Sequence, residues 1–256
     1  MNIKDKTCVI TGAAGGIGAA LARRFAAEGA AAVYVADVQA EPLNAVAEEI
    51  GGVALPCDAT READIAALID QAETASGPID VFCSNAGVIR LGTEQAPDTD
   101  WQLCWDLHLM AHVYAARALA PKMAERGTGY LVNTASAAGL LSHVNSATYT
   151  VTKHAAVAFA EWLSITYGDR GVKVSVLCPQ GVKTPMTAGR DQGAASVDGM
   201  ISAEAVAESV IQSMKREEFL ILPHAEVLGY MQRKTGDVDR WLGGMRKYKA
   251  MYPEGI

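Results

Sequence analysis

Hydrophobic and polar positions along the chain fall into two alternating patterns. Short apolar runs are separated by longer segments in which apolar residues recur every three or four positions. The short runs predict β-strands, and the longer segments predict helices. The predicted strands are Thr7–Ile10, Ala32–Ala36, Val53–Pro56, Ile79–Cys83, Tyr130–Asn133 and Val172–Leu177. The predicted helices are Gly18–Glu28, Glu41–Ile50, Glu62–Ser76, Thr99–Glu125 and Ala147–Asp169.

This alternation predicts an α/β protein with a doubly wound, mostly parallel sheet that carries helices on both faces, a Rossmann-type fold. No repeat, linker or low-complexity tract divides the chain, so we expect a single domain over residues 1–256. A small-residue-rich stretch at about 181–202 predicts a lid-like loop over a site. A tail at about 224–252 predicts helix. Its apolar stripe favours core or subunit interface, with pocket cover as the alternative, and consists of Met231, Val238, Trp241, Leu242, Met245 and Tyr248.

Ligands of doubly wound folds bind beyond the carboxyl ends of the strands, so the residues that follow each strand are candidates. The first predicted strand is followed by a glycine-rich turn, TGAAGGIG at residues 11–18. Glycines allow a tight turn and a close approach to a pyrophosphate, while the following helix N-terminus supplies free N–H groups. Cofactor contacts are therefore expected at Gly12, Gly15, Gly16, Ile17 and Gly18.

The second predicted strand is followed by an acid, Asp37, about twenty residues beyond the glycine-rich turn. A carboxylate there can accept hydrogen bonds from a ribose diol and would repel a 2′-phosphate. No arginine or lysine stands beside Asp37 or in the turn to neutralise such a phosphate. Asp37 and its neighbour Val38 therefore predict NAD in preference to NADP, although a solvated turn would also carry an aspartate.

Small and polar residues follow the remaining strands. An aspartate after the third strand is suited to an adenine amino group, and the segment after the fourth strand to backbone contact along the cofactor. Either segment could also be only a turn. These further cofactor contacts are expected at Asp58, Ala59, Asn85, Ala86 and Gly87. Pro179, Gly181, Val182 and Thr184 follow the sixth strand and are further candidates for cofactor contact.

Tyr149 and Lys153 stand four residues apart in a predicted helix and therefore share one face. A free phenol has a pKa of about 10, which makes it a poor proton shuttle near neutrality. A nearby ammonium favours the phenolate, so the pair is expected to lower that pKa. The same spacing occurs by chance on many helices, and the surrounding residues have to decide. Ser136 lies at the end of the fifth strand, upstream of the pair.

Taken together, TGAAGGIG, Asp37, SNAG at Ser84–Gly87, Ser136, YTVTK and PQGVKT stand in the order and spacing of one known family. From Lys4 to about Leu222 the chain resembles the short-chain dehydrogenase/reductase family. The resemblance implies that Tyr149 donates and accepts the proton and that Ser136 binds the substrate oxygen. It also implies that Lys153 holds the nicotinamide ribose while lowering the phenol pKa, and that Val182 and Thr184 position the carboxamide.

His108 departs from the family pattern, which usually carries an asparagine at this place. The family assigns that asparagine to a water in the proton relay and to a local bend in its helix. A neutral histidine can still donate or accept a hydrogen bond to water, so we expect a catalytic role for His108, with simple space filling as the alternative. His112 lies one turn further on, but without a third ligand the pair predicts no metal site.

Composition narrows the class of partner. The net charge of −7 argues against nucleic acid and anionic membrane surfaces. The N-terminal residues lead directly into a strand with no signal-peptide pattern, and the five cysteines lack CxxC spacing, which together favour a reducing cytoplasm. Leu140, Leu141, His143 and Val144 are expected to line a substrate pocket, and they are mostly apolar. The substrate is therefore expected to be a small molecule with apolar surface.

We expect an NAD-dependent enzyme that interconverts a secondary alcohol and a ketone. A reductase of 3-oxoacyl thioesters is the nearer rival, although a carrier-linked substrate would favour a basic pocket mouth that the overall charge does not suggest. A catalytically silent, nucleotide-sensing protein is the rival from another class. The resemblance and the long apolar helices also predict a homo-oligomer, a tetramer or a dimer.

Overall fold

The computed structural model describes residues 1–189 and 193–253. Its strands are β1 Thr7–Thr11, β2 Ala32–Asp37, β3 Val53–Pro56, β4 Val81–Ser84, β5 Gly129–Thr134, β6 Val172–Leu177, β7 Val182–Lys183, β8 Ile201–Ser202 and β9 Leu220–Ile221. Its α-helices are α1 Gly16–Ala27, α2 Ala40–Ile50, α3 Glu62–Ser76, α4 Asp98–Trp105, α5 Ala111–Glu125, α6 Ala147–Tyr167, α7 Ala203–Arg216, α8 Glu226–Gly236 and α9 Val238–Met251.

The main sheet has seven parallel strands in the order β3-β2-β1-β4-β5-β6-β9. The chain moves outward from β1 to β3 and then returns to start again at β4, which places the switch in direction between β1 and β4. The predicted doubly wound, parallel fold is confirmed. Its carboxyl edge beside this switch is where ligands of such folds bind.

Two apolar layers hold the helices against the sheet. One layer lies under α1, α2 and α7 and contains Phe25, Leu43 and Val210. The other lies under α3, α5 and α6 and contains Leu68 and Leu119. Strands β1 and β5 are buried along their whole length because both of their faces are covered. Strand β9 is the edge strand of the sheet beside β6, and helix α7 shares an apolar layer with α1. Neither element was among those predicted.

The predicted helix Thr99–Glu125 is in fact interrupted. It begins at Asp98, changes to one π-helical turn over Asp106–Met110, and resumes as α5. A π-turn adds a residue to the helical repeat and rotates the side chains within it, and such turns are frequent at functional sites. This turn carries His108 into the protein interior, where its side chain is fully buried.

The predicted lid at 181–202 contains short elements rather than an unstructured loop. Strands β7 and β8 pair in parallel at its two ends, and short 3-10 turns lie at Pro185–Thr187 and Ala194–Ser196. Residues 190–192 of this segment lie outside the described part of the chain.

The tail, which was expected to be helical, forms two helices, α8 and α9. They meet at Asp237, whose carboxylate accepts a hydrogen bond from the backbone of Arg240 and so begins α9. The predicted apolar stripe divides. Met231 and Trp241 pack against a small cluster that includes Leu141, whereas Val238 and Leu242 are exposed. Among the described residues, no helix has both the length and the apolarity to cross a membrane.

Candidate active site

The glycine-rich turn fits closely against backbone from other strand ends. Gly12 adopts φ +67°, and a Cβ there would lie 2.7 Å from the Cα of Ala86. Gly16 adopts φ +54°, and a Cβ there would lie 3.2 Å from the side chain of Thr184. Side chains rarely accept positive φ, so both positions require glycine. The turn after β1 therefore meets the segments after β4 and β6, where the sequence predicts cofactor contacts.

Asp37 lies beside this turn at the end of β2. One carboxylate oxygen accepts a hydrogen bond from Ala14 N at 3.2 Å, and the other accepts from Gln39 N at 3.0 Å. The carboxylate thus faces the backbone of the glycine-rich turn and is only partly buried. The neighbouring Val38 side chain is exposed. A ligand bound to the turn would contact Asp37 and Val38 at the carboxyl end of β2.

Asp58 follows β3, the strand that pairs with β2. One of its carboxylate oxygens accepts hydrogen bonds from the backbone and the hydroxyl of Thr60, at 3.0 and 2.7 Å. The neighbouring Ala59 is buried. Asp58 therefore shapes a turn, and its other oxygen is the one that can meet the predicted adenine group.

Asn85 ties three strand ends together. Its amide nitrogen donates to Thr11 O at 3.1 Å, and its carbonyl oxygen accepts from the Thr134 hydroxyl at 3.1 Å. The Thr11 hydroxyl in turn accepts from the backbone N–H groups of Asn85 and Ala86, at 3.0 and 3.2 Å. Because its side chain is engaged within the sheet, Asn85 fixes the backbone through Ala86 and Gly87. Neither threonine was among the predicted site residues.

Ser136, Tyr149 and Lys153 converge at the carboxyl end of β5. Ser146 caps α6 by accepting from Tyr149 N at 3.1 Å, which places Tyr149 in the first turn of the helix. The Ser136 side chain lies beside the Tyr149 phenol and lowers its pKa. Lys153 Nζ donates to Thr134 O at 2.9 Å and lies 5.6 Å from the centre of the Tyr149 ring. The predicted hydroxyl, phenol and ammonium therefore share one place.

Burial governs the electrostatics at this centre. It is the largest influence on Tyr149 and raises the pKa of its phenol, while the Ser136 side chain lowers it. Burial therefore dominates in the protein without ligands, and the expectation that Lys153 lowers this pKa stays a prediction. Burial also lowers the pKa of Lys153 to about 8.

Both ring nitrogens of His108 are engaged within the protein. Nε2 accepts a hydrogen bond from Val88 N at 3.2 Å, which leaves the ring proton on Nδ1. Nδ1 lies 2.8 Å from the Thr152 hydroxyl, and that hydroxyl donates to Thr148 O at 2.8 Å. Neither ring nitrogen is left to hold the relay water that the sequence predicts. Instead, His108 links the segment after β4 to the helix that carries Tyr149 and Lys153.

Burial and the positive charge of Lys153 hold the pKa of His108 well below its usual value, so the imidazole is neutral at physiological pH. His112, one turn further on, is also buried, and burial lowers its pKa to about 3. In contrast to His108, neither ring nitrogen of His112 has a hydrogen-bond partner among the described residues.

The segment after β6 is fixed by a histidine that the sequence analysis missed. Pro179 O accepts from Ala137 N at 2.9 Å, next to Ser136. His224 is buried and accepts from Gln180 N while its other nitrogen bonds to Gly181 O, each at 3.2 Å. His224 follows a strand, and that position was the signal that could have identified it. Its two bonds orient the backbone that leads to Val182 and Thr184.

The tail contacts both the lid and the loop at residues 140–146, which we name the rim loop. Tyr248 donates to Ala194 O in the lid at 2.6 Å, and Asn145 donates to Tyr252 O at 3.0 Å. Between the tail and the loop after Ser136 lies a cleft of about 260 Å³. We name it the tail cleft, and its apolar lining comes from Leu141, Val144, Trp241 and Met245. Two of the four predicted pocket residues, Leu141 and Val144, therefore line a cleft, and a third, His143, packs its ring 6.1 Å from that of Tyr149.

Comparison with known proteins gives consistent matches over most of the chain. The family model described as short chain dehydrogenase matches residues 6–195. The chain is 36% identical over 251 residues to a 1-deoxy-11-beta-hydroxypentalenate dehydrogenase of Streptomyces exfoliatus, covering 94% of this chain and 90% of that one. It is 36% identical over 185 residues to a 3-alpha-(or 20-beta)-hydroxysteroid dehydrogenase of Mycobacterium tuberculosis, covering 71% of each.

Among solved structures, a short chain dehydrogenase/reductase from Burkholderia phymatum in complex with NAD superposes with a TM-score of 0.85 at 27% identity. That match covers 93% of this chain and 96% of the other. The glycine-rich turn, the strand-end polar residues and the serine, tyrosine and lysine thus occur within a fold and a sequence match of one kind. The chain belongs to the short-chain dehydrogenase family, a family of oxidoreductases.

Proposed function

We propose that this protein is an NAD-dependent dehydrogenase that interconverts a secondary alcohol and a ketone. The observation that carries the proposal is the convergence of Ser136, Tyr149 and Lys153 at the carboxyl end of β5, in contact and largely removed from water. A hydride leaving an alcohol carbon requires the hydroxyl proton to leave as well, so a proton-transferring phenol is the group the reaction needs.

The residues of the glycine-rich turn fit a nicotinamide dinucleotide. Gly12 and Gly16 let the turn lie against the segments after β4 and β6, and α1 begins at Gly16, so its free N–H groups can bind a pyrophosphate. Asp37 faces the turn and supports NAD over NADP, because its charge repels a 2′-phosphate and accepts a ribose hydroxyl. The NAD in the Burkholderia phymatum neighbour adds support. When bound, the cofactor supplies the hydride acceptor.

The chain's own residues divide the remaining work. The Ser136 hydroxyl holds the substrate oxygen, and the Tyr149 phenol takes its proton during oxidation or returns it during reduction. Lys153 is tethered by Thr134 O beneath the phenol ring, from where its charge stabilises the phenolate as it forms. His108 acts at one remove, because its bonds to Val88 and Thr152 hold the Lys153 helix against the segment after β4.

The relatives support an alcohol on an apolar framework as the substrate. Their printed names describe dehydrogenases of a hydroxypentalenate and of hydroxysteroids. The rim loop contributes Leu141 and Val144, which also favour apolar substrate surface. A screen of cyclic and aliphatic secondary alcohols with NAD, following NADH absorbance, tests the proposal. Absence of turnover with every alcohol and with the matching ketones plus NADH would argue for the silent, nucleotide-binding alternative.

We also propose that the protein is a homo-oligomer of a reducing, cytoplasmic compartment. Helices α4 and α6 expose large apolar side chains that do not pack against the sheet. These are Trp105, Val151, Trp162 and Ile165. The five cysteines are buried and unpaired, as a reducing compartment favours. Light scattering should give a tetramer or dimer mass, and Ile165→Glu should reduce it. A monomer mass for the unaltered protein at micromolar concentration would contradict the proposal.

A further inference from the structure

The tail cleft carries positive charge as well as apolar surface. Its lining includes Lys234, Arg246 and Lys249 together with apolar side chains of the rim loop. None of the three forms an ion pair with a carboxylate within the described ranges 1–189 and 193–253. Lys234 donates instead to Leu140 O at 2.6 Å, so its ammonium is held beside the rim backbone.

The charge of the tail contrasts with that of the whole chain. Residues 226–251 contain six arginines and lysines against three aspartates and glutamates, although the protein has a net charge of −7. Elsewhere in the described part of the chain many basic side chains are paired with acids, as are Arg23 with Glu49 and Arg117 with Glu62. Three unpaired cations gathered around one apolar cleft therefore form a local positive field that attracts anions.

The tail cleft adjoins the catalytic centre through one short segment of chain. Ser142 and Val144 line the cleft, and between them His143 packs against the Tyr149 ring at 6.1 Å. Ser142 holds φ +107°, a conformation that is strained for a non-glycine residue and that tends to occur at ligand sites. The rim loop therefore faces the phenol with one residue and the cleft with that residue's two neighbours.

We infer that the tail cleft binds an anionic group, a carboxylate or a phosphate, at the far end of an apolar substrate whose hydroxyl is oxidised at Tyr149. This inference rests on the proposed dehydrogenase function and adds the charge of the substrate to it. A volume of about 260 Å³ is smaller than a whole ligand pocket, which spans roughly 300–1,000 Å³, and suits one end of a molecule. The apolar wall accepts the carbon frame, and Arg246 offers the planar fork that suits carboxylate or phosphate.

The tail also changes the comparison with a thioester reductase. The sequence analysis disfavoured that rival because the acidic chain suggested no basic pocket mouth. The tail supplies such a mouth, so overall charge was the wrong quantity to use. A free acid and a coenzyme A thioester present the same anionic chemistry from different sources, and the experiment has to separate them.

The kinetic arm compares substrates that share one carbon chain. These are dodecanoate with a hydroxyl on the penultimate carbon, its methyl ester, and its coenzyme A thioester, each with NAD. We expect the charged substrate to have a KM lower than that of the ester by roughly tenfold, the size of one good charge-assisted contact. Arg246→Gln with Lys249→Gln should remove that advantage. Whichever of the acid and the thioester loses its advantage identifies the anion as carboxylate or phosphate.

Lys247→Gln is the matched control, because Lys247 is exposed on the same helix and does not line the cleft. It removes one positive charge from the same helix and should leave the KM ratio unchanged. If Lys247→Gln lowers the ratio as much as the double variant does, a diffuse field rather than a site is responsible, and the inference fails.

A binding arm makes the result independent of turnover. Calorimetry with octanoate and octanamide on the protein saturated with NADH should show tighter binding of octanoate, lost in the double variant and kept in Lys247→Gln. Equal affinity for octanoate and octanamide overturns the inference even when alcohols are oxidised. Selective octanoate binding in a protein that oxidises no alcohol supports the anion site while rejecting the proposed dehydrogenase function.

Discussion

The proposed nucleotide side of the site and the proposed substrate side are built in different ways. On the nucleotide side, Gly12, Asp37 and Asn85 lie at strand ends and are fixed by short hydrogen bonds to backbone from neighbouring strands. On the proposed substrate side, the loop after Ser136 and the lid are held by hydrogen bonds to a tail that is distant in sequence. The Asn145 side chain donates to Tyr252 O, 107 residues away, and Tyr248 donates to Ala194 O, 54 residues away. One side is part of the sheet, and the other is a cover placed over it.

This difference separates binding of a common cofactor from selection of a substrate. Strand-end residues cannot move without disturbing buried strands such as β1 and β5. The tail has exposed helices, and its contacts with the lid are single hydrogen bonds such as that from Tyr248. Changes on one side should therefore leave the other largely intact.

Tyr149→Phe should have the largest effect. It keeps the ring packed between His108 and His143 but removes the group that carries the proton. Turnover should fall by roughly 10²–10⁴-fold, the usual contribution of general acid–base catalysis. Fluorescence titration should find NAD affinity within about twofold of the unaltered protein, since the loss lies in one proton transfer worth a few kcal/mol. Retention of most of the turnover would show that the phenol is not the base.

Asp37→Ala should act on the cofactor alone. Removing the carboxylate takes away both the ribose contact and the repulsion of a 2′-phosphate, so the preference for NAD over NADP should shrink by roughly tenfold or more. Titration of both cofactors measures the preference directly. The KM for the alcohol at saturating cofactor is the internal control, and it should not change. Equal affinities for NAD and NADP in the unaltered protein would contradict the assignment.

The two buried histidines of the interrupted helix give a matched pair. His108→Leu leaves the buried N–H of Val88 without its acceptor and should lower the free energy of unfolding by about 1–3 kcal/mol. His112→Leu removes a ring with no bonding partner among the described residues, so its effect on stability should be smaller. Urea denaturation of both variants compares them. A larger loss for His112→Leu would mean that packing, not hydrogen bonding, decides stability here.

The same pair predicts a pH dependence. Both imidazoles have a pKa below the ordinary value of about 6.5, so the unfolded chain binds protons that the folded protein does not. Stability should therefore fall as pH drops below about 6.5, by at most about 1.4 kcal/mol per unit for each histidine. His112→Leu removes one of the two groups. Its stability should therefore fall less steeply between about pH 6.5 and the folded pKa of His112, about 3. An unchanged slope in the variant would refute the contribution of His112.

His108 also removes one expectation about catalysis. A relay histidine would add an acid limb to the rate profile near its pKa, and His108→Asn would abolish that limb. Because burial and Lys153 hold the pKa of His108 well below 6.5, we expect no such limb between pH 6 and 9. An acid limb that is the same in the unaltered protein and in His108→Asn belongs to another group and supports this view. A limb that only the unaltered protein shows would restore the relay.

What the sequence could predict follows from how local each feature is. The glycine-rich turn, Asp37 and the spacing of Tyr149 and Lys153 depend on neighbours within one strand–helix unit, so pattern was enough to locate them. The partners of His108 lie 20 and 44 residues away and depend on a π-turn that periodicity does not reveal. The raised pKa of Tyr149 depends on burial, which spacing alone cannot give. The basic character of the tail cleft was hidden within an acidic average.

The cover formed by α8 and α9 has a consequence for engineering new specificity. These helices follow β9, the last strand of the sheet, so the framework and the cover occupy separate stretches of sequence. A library confined to residues 226–251 would vary the walls and charge of the tail cleft while leaving Ser136, Tyr149 and Lys153 untouched. Replacing the tail by that of another dehydrogenase could therefore transfer substrate preference as a module, with the hydride chemistry carried over unchanged.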